Sequence, residues 1–436
     1  MQRNELKPKK SLRIITFITI IFLISAIILL TQLENKVSAI SIEPSKEQIL
    51  RFGITIPYLT GDYVELVNQI NARAVLDWRT DDNNEWAEHK IDYLHVIRVS
   101  DAAYNHGAIL DTLPDLIQNN LGEVWIIGNE PDRDIQDGIT PEVYAQRYYE
   151  LAIRIRYLDP TAKLGFGSVV QPTPIRIRYL ERALDHLTYL SCGNREAALD
   201  LIDIWSIHAF ILNEIGSWGA SIPVGFSCPI VCFENQNCPE YCYDAERITN
   251  YADTYSIEIF NKRLIEFREW MAFIGEKEKP LWITEYGSLF PDWEIVCIIY
   301  HVSCNFPING WPTEYDSYEF MIKTFDYLIS TSNSEIGFNE DNSQLVQRWF
   351  WYSLNGIRND FGGTLFDPDE NHSQTLAGQG YESYTNQILL NSSNGINPVL
   401  FRKDSFSYTV DFNELEEKYL YPYEYCFRTQ LPLVLK

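Results

Sequence analysis

Glu123-Val-Trp-Ile-Ile-Gly-Asn-Glu-Pro-Asp132 decides how this 436-residue chain is read. Val124–Ile127 is a short apolar, β-branched run of the kind buried on both faces of a parallel sheet. It stops at Gly128 and then delivers an amide, a carboxylate and a proline in succession. Pro131 cannot join a central ladder, so the strand ends near Glu130. Asn129 and Glu130 are thereby predicted at the carboxyl end of a buried strand, where parallel α/β folds carry their chemistry. Pro280-Leu-Trp-Ile-Thr-Glu-Tyr-Gly287 repeats the pattern far downstream, an apolar run closing on Glu285 with a glycine two residues on.

Working outward from these stretches, short apolar runs alternate with helix-like segments from Glu43 onward, the signature of repeated βα units. The runs are Arg51–Pro57, Ala72–Trp78, Tyr93–Val99, Val124–Ile127, Lys163–Val170, Leu201–Phe210, Leu281–Thr284 and Gln347–Ser353. Between them, a helix with Pro114 near its start precedes the fourth run, and Thr140-Pro-Glu142 is a helix start with a threonine cap and proline at the first helical position. Eight such runs predict a (β/α)8 TIM barrel over residues 43–390. A doubly wound sheet would need a glycine-rich phosphate turn after the first strand, and Gly53 alone does not supply one. Residues 391–436 read as a C-terminal extension packed on the barrel, with Cys426 free to pair backward.

The sixth and seventh βα loops are long and carry the closely spaced cysteines. Cys228, Cys232, Cys238 and Cys242 fall within one loop, and Cys297 and Cys304 within the next. Their spacing is not the C-x2-C knuckle of structural zinc, so disulfides stapling loop insertions are expected. The N-terminus supports the same compartment. A basic flank, Arg3 to Arg13, precedes the uncharged run Ile14–Leu30, and Val37-Ser-Ala39 offers small residues for cleavage. Residues 1–39 read as a signal peptide or as an N-terminal membrane anchor, and either way the rest is exported, secreted or held at the cell surface. The formal net charge of −25 argues against nucleic acid and against anionic membrane surfaces, leaving an uncharged partner such as a polysaccharide. Membrane contact is expected only through residues 1–39 if uncleaved, and a monomer is expected.

Two strand-end glutamates suit glycoside hydrolysis, which needs one carboxyl as acid/base and another as nucleophile or base. Asn129-Glu130-Pro131 on the fourth strand together with Ile283-Thr-Glu-Tyr-Gly287 on the seventh resembles glycoside hydrolase clan A. Asp203-Ile-Trp-Ser-Ile-His-Ala-Phe210 is similar to the clan's sixth strand, and Trp349-Phe-Trp-Tyr352 to its eighth, so the likeness covers Arg51 to Tyr384. The Gly-Asn-Glu-Pro-Asp form looks most like β-1,3-glucanase-type barrels, with β-xylosidase-like and mannanase-like relatives also open.

The resemblance implies Glu130 as acid/base, with its pKa raised, and Glu285 as ionised nucleophile of a retaining mechanism. It implies Asn129 on the sugar 2-hydroxyl and His208 in the site. Alternation along the eighth strand leaves open which of Trp349 and Trp351 faces inward, and the resemblance favours Trp351 as the aromatic floor. No metal or organic cofactor is required. Departures are Phe210 where the clan has tyrosine after the histidine, and two candidates, Arg79 and Arg98, for the clan's strand-two arginine. The competing expectation from another class is a non-catalytic carbohydrate-binding or cell-wall-associated barrel.

Overall fold

A computed structural model describes residues 46–391 apart from seven short stretches, 58–62, 80–84, 106–107, 216–218, 229–237, 306–309 and 357–360. The expected export segment, residues 1–39, lies outside the described residues. So does the C-terminal extension, except Asn391, the last residue of a helix. Among the described residues no helix is long and apolar enough to cross a membrane.

Eight parallel strands close into a barrel in chain order: β1 (Phe52–Thr55), β2 (Ala74–Leu76), β3 (Asp92–Ile97), β4 (Val124–Ile127), β5 (Lys163–Val169), β6 (Ile204–His208), β7 (Leu281–Tyr286) and β8 (Arg348–Trp351). Closure runs through Phe52–Trp349, Gly53–Phe350 and Ile54–Trp351. Helices between strands bury the outer face, the longest being Pro141–Leu158 after β4, Pro174–Leu190 after β5, Ile257–Phe273 after β6 and Glu314–Ser330 after β7.

Their starts follow from local chemistry. Thr140 Oγ1 accepts from Val143 N in front of Pro141, and Thr313 with Asp316 forms a reciprocal capping box. Pro114 is the exception: it lies inside the helix Ala108–Asn119 rather than near its start.

Each strand sorts its side chains by alternation. Leu76, Leu94, Val96, Ile126, Ile204, Trp282 and Phe350 fill the lumen as one apolar cluster. Phe52, Ile54, Trp125, Ile127, Phe166, Trp205, Tyr286, Trp349 and Trp351 face the helices in a second, larger one. The lumen admits Phe350 because β1 offers no side chain opposite it: a Cβ on Gly53 would stand 2.5 Å from the Phe350 ring.

The long insertions fall where the sequence puts them, after β6 and β7. Cys228–Cys242 closes one and Cys297–Cys304 the other, each with Cα atoms 5.5 and 5.3 Å apart respectively. Cys192 and Cys238 are also disulfide-bonded.

Gly53→Ala is therefore expected to destabilise the barrel by about 1–3 kcal/mol, the usual range for overpacking. Thermal unfolding measures it, and adding Phe350→Leu should recover most of the loss. Additive destabilisation in the double variant would show that the two positions do not share one space.

Candidate active site

The β4 stretch ends in a tight turn that aims two side chains at the barrel axis. Gly128 (φ +100°) and Glu130 (φ +44°) both adopt left-handed backbone, which a glutamate tolerates only where its surroundings impose it. Glu130 N donates to Ser168 O at 3.0 Å. The Asp137 carboxylate accepts from Asn129 N at 2.8 Å and Val99 N at 3.0 Å, and from Arg98 Nε at 2.6 Å. The turn is thus fixed to β3 on one side and β5 on the other.

Glu285 arrives by a different route. On β7, Ile283 pairs with Trp349 but Tyr286 pairs with Trp351, so one extra residue is inserted between them. Such a bulge re-aims side chains. Thr284 reaches the lumen hydroxyl Ser168 Oγ at 3.5 Å, Glu285 turns to the mouth, and Tyr286 returns to the helix layer beside Thr324. A matching bulge on β5 brings in Ser168, whose Oγ lies 2.8 Å from Ser206 Oγ. A layer of hydroxyls therefore separates the apolar lumen from the carboxylates above it.

His208, at the end of β6, joins the two glutamates. Its Nδ1 is 3.0 Å from Glu130 Oε1 and its Nε2 is 3.3 Å from Glu285 Oε1, and all three residues are buried. One ligating atom from each lies within 4.8 Å of the others. Trp78, just past β2, donates its Nε1–H to Asn129 Oδ1 at 2.9 Å and to Glu285 Oε1 at 3.1 Å. Arg133 Nη1 donates to the other oxygen of Glu130 at 3.1 Å. Glu130, His208 and Glu285 have the ligand types for a divalent cation, but the Arg133 charge beside Glu130 opposes one.

Two hydrogen bonds to one imidazole need two protons. Either a charged imidazolium donates to two carboxylates, or a neutral imidazole donates to one and accepts from the protonated other. Both arrangements hold the same protons and the same net charge, so they are tautomers of one unit and titrate together.

Burial pushes the Glu130 carboxyl up, but the bond and charge of His208 and the Arg133 guanidinium outweigh it and hold it below the usual value. Glu285 is pushed up to about 7, chiefly by burial and further by the Glu130 charge, against the pull of His208, Trp78 and Arg98. His208 is raised because the flanking carboxylates overcome the burial that would lower it. The expectation of a raised pKa at Glu130 is corrected: the raised carboxyl is Glu285, since the hydrogen bond from His208 goes to Glu130 and Arg133 reaches only Glu130.

Of the residues expected in the site, Asn129, Glu130, His208 and Glu285 come together and Trp351 does not. Trp349 and Trp351 are two residues apart and share a face, and that face is the outer one. Trp351 is 0% exposed, its ring packs against Tyr286 and Phe320, and its Nε1–H donates to Gly363 O at 2.7 Å. The aromatic at the mouth is Tyr352, the residue after β8, in contact with Trp78 and Phe210.

Arg79 pairs with Asp77, whereas Arg98 stands close enough to Glu285 to lower its pKa. Trp78 and Arg133 went unread in the sequence. Trp78 closes the second apolar run, as Glu285 closes the seventh, which is the signal that could have marked it. Arg133 carries none beyond lying three residues after Glu130.

No family model matches the sequence, and no curated protein matches it. Among solved structures the chain is similar to a GH128 (subgroup I) endo-β-1,3-glucanase from Amycolatopsis mediterranei in complex with laminaritriose, at 14% identity over 77% of this chain and 99% of that one, with a TM-score of 0.44. It is also similar to a GH128 (subgroup III) curdlan-specific exo-β-1,3-glucanase from Blastomyces gilchristii in complex with glucose, at 13% identity over 78% and 100%, TM-score 0.45. A third is a GH128 (subgroup II) endo-β-1,3-glucanase from Sorangium cellulosum, at 14% identity over 76% and 98%, TM-score 0.42.

Removing the imidazole has a defined sign. In His208→Asn both carboxylates lose a positive neighbour, so the Glu285 midpoint is expected to rise by about one unit. Carboxyl NMR of 13C-labelled protein measures it, and a midpoint that falls would contradict the shared-proton arrangement.

Proposed function

We propose that the chain is a retaining glycoside hydrolase that cleaves β-glycosidic bonds in an extracellular polysaccharide, β-glucan first among them. The observation that carries this reading is the pair of buried carboxyls at the barrel mouth, with oxygens within 4.8 Å through a shared histidine. Retaining enzymes keep their carboxyls about 5–5.5 Å apart, and inverting ones hold them further off to admit a water between. The close approach favours retention.

In this reading Glu285 attacks the anomeric carbon as the bond to the leaving oxygen breaks, and Glu130 gives that oxygen its proton. Water then attacks the glycosyl ester, yielding its proton to Glu130 and restoring Glu285. The Asn129 amide, its oxygen occupied by Trp78 and one Nδ2–H directed at Gln136 Oε1 at 3.5 Å, keeps its other Nδ2–H for the sugar 2-hydroxyl.

The resting protonation fits if the proton passes along the His208–Glu130 hydrogen bond. The neutral tautomer then presents a protonated Glu130 while Nε2–H still supports ionised Glu285. No change in proton number is needed, only a shift within the unit.

An uncharged substrate suits the mouth, where Arg79, Arg98 and Arg133 are each paired with a carboxylate. Export is supported by the loop disulfides, which persist in oxidising compartments. The β-glucan class itself rests on the Gly-Asn-Glu-Pro-Asp resemblance.

Glu130→Gln and Glu285→Gln should each lower kcat on β-1,3-glucan by about 10²–10⁴-fold or more, with the fold intact by circular dichroism. NMR of the wild-type reaction should show the β-anomer released first. Turnover retained in either variant would remove that residue from its role. An inert wild-type protein that still binds the polymer would leave the carbohydrate-binding reading in its place.

A further inference from the structure

The aromatic residues at the mouth are not spread evenly around it. Beside Glu130 the surroundings are polar: Arg133, Gln136, Asn129 and the carbonyl of Gly219, which accepts from Arg133 Nη2 at 3.3 Å. Beside Glu285 two groups of rings are joined through one apolar cluster, the first beginning at Trp78. Its centroid is 6.2 Å from that of Tyr352, which lies 5.1 Å from Phe361. The next residue, Gly362, bonds through its N–H to Phe290 O at 2.8 Å, and Phe290 shares an apolar cluster with Phe361 and Tyr352. Phe290 is 5.2 Å from Tyr251 and 5.4 Å from Trp311, and Tyr251 is 4.4 Å from Trp311, so these three rings pack as one group.

Phe361 follows β8, Phe290 and Trp311 belong to the insertion after β7, and Tyr251 to the one after β6. All of them, with Trp78, are half-buried rather than enclosed.

The far end of this series is built to hold its shape. Trp311 Nε1–H donates to Pro291 O at 2.7 Å, which pins the polar edge of the indole to the protein. Behind it stand Trp293, Val296 and Cys297 as a small buried cluster. Trp293 Nε1 in turn donates to Cys304 O at 3.3 Å, across the Cys297–Cys304 bridge. Tyr255 Oη donates to Gly310 O at 3.0 Å and ties the two insertions together. The stapled loop thus fixes a half-buried indole at the outer end of these rings.

We propose that Phe290, Tyr251 and Trp311, packed as one group of rings, form an extended binding wall for the polysaccharide chain beyond the reacting sugar. The proposal rests on the hydrolase reading for the identity of the chain, and on continuity with Trp78 and Glu285 for its direction. Aromatic side chains offer large rigid contact area at low entropic cost, which suits an uncharged, flexible polymer.

The test separates the wall from the chemistry. In a Glu285→Gln background, affinity for linear β-1,3-gluco-oligosaccharides of two to seven units is measured by calorimetry. Affinity should climb with length through the longer members. Trp311→Leu and Tyr251→Leu, which keep apolar volume behind the loop but remove the flat ring, should abolish about tenfold of that climb and leave the disaccharide unchanged.

Thermal unfolding checks that the loops survive, and Trp311→Phe, which restores a ring, should recover most of the loss. A length dependence identical in all variants, or no binding at any length, would overturn the wall. Wild-type turnover, followed separately, reports on the hydrolase reading.

Discussion

A buried imidazole between two buried carboxylates is the constraint on which the rest of this molecule depends. Taking a carboxylate out of water costs several kcal/mol even after relaxation, so two of them at one barrel mouth survive only with partners held in place. His208 serves both, Trp78 serves Glu285, and Arg133 serves Glu130. Each partner comes from a different loop or strand end. The unit therefore requires β2, β4, β6 and β7 to end at matched heights, which closing eight strands into one barrel provides.

That matching is reinforced by charge buried one step further out. Arg176, fully buried at the start of the helix after β5, bonds to Asp132 and donates its Nε–H to Glu214 at 2.9 Å. It also donates to the carbonyls of Ala220 and Ser221, at 3.2 and 2.6 Å. Glu214 accepts in addition from Gln171 Nε2 at 2.9 Å and from the backbone of Glu246 at 2.7 Å, while Arg263 closes onto Glu246 at 2.6 Å. The loops after β4, β5 and β6 and the helix Ile257–Phe273 thus share one network. Buried ion pairs contribute little net stability, but removing one member strands the others. Such a network specifies loop geometry, and the residue it restrains most directly is Asp132, two positions from Glu130.

The sequence was legible where one local rule decided the outcome. The eight apolar runs lie on the eight strands, and the Thr140–Pro141 helix start lies where capping places it. The insertions bearing cysteines follow β6 and β7. Asn129, Glu130, His208 and Glu285 were findable because each closes an apolar run.

What escaped depended on register. A bulge at Thr284 and another at Ser168 decide which side chains enter the lumen, and no local pattern announces an inserted residue. Trp351 shows the cost: the chain is aromatic from 349 to 352, along β8 and one residue past it, so hydrophobicity cannot say which ring faces in. The answer is set by Phe350 filling the space that Gly53 leaves. Arg133 lay beyond reach for a related reason, since only the left-handed turn at Glu130 brings it back onto that carboxylate.

The protonation of the site carries the last step. In the proposed mechanism Glu130 should hold a proton and Glu285 should not, yet their surroundings bias the two carboxyls the opposite way. The contradiction dissolves once the proton is assigned to the unit rather than to a residue. His208 bonds to both carboxyls, so moving its Nδ1 proton to Glu130 converts one state to the other along a bond already formed. In the proposed mechanism a sugar places developing positive charge over Glu285, which favours that carboxylate ionised and draws the shared proton towards Glu130 through the short geometry of His208. A histidine touching only one glutamate could tune that residue, but it could not exchange their roles.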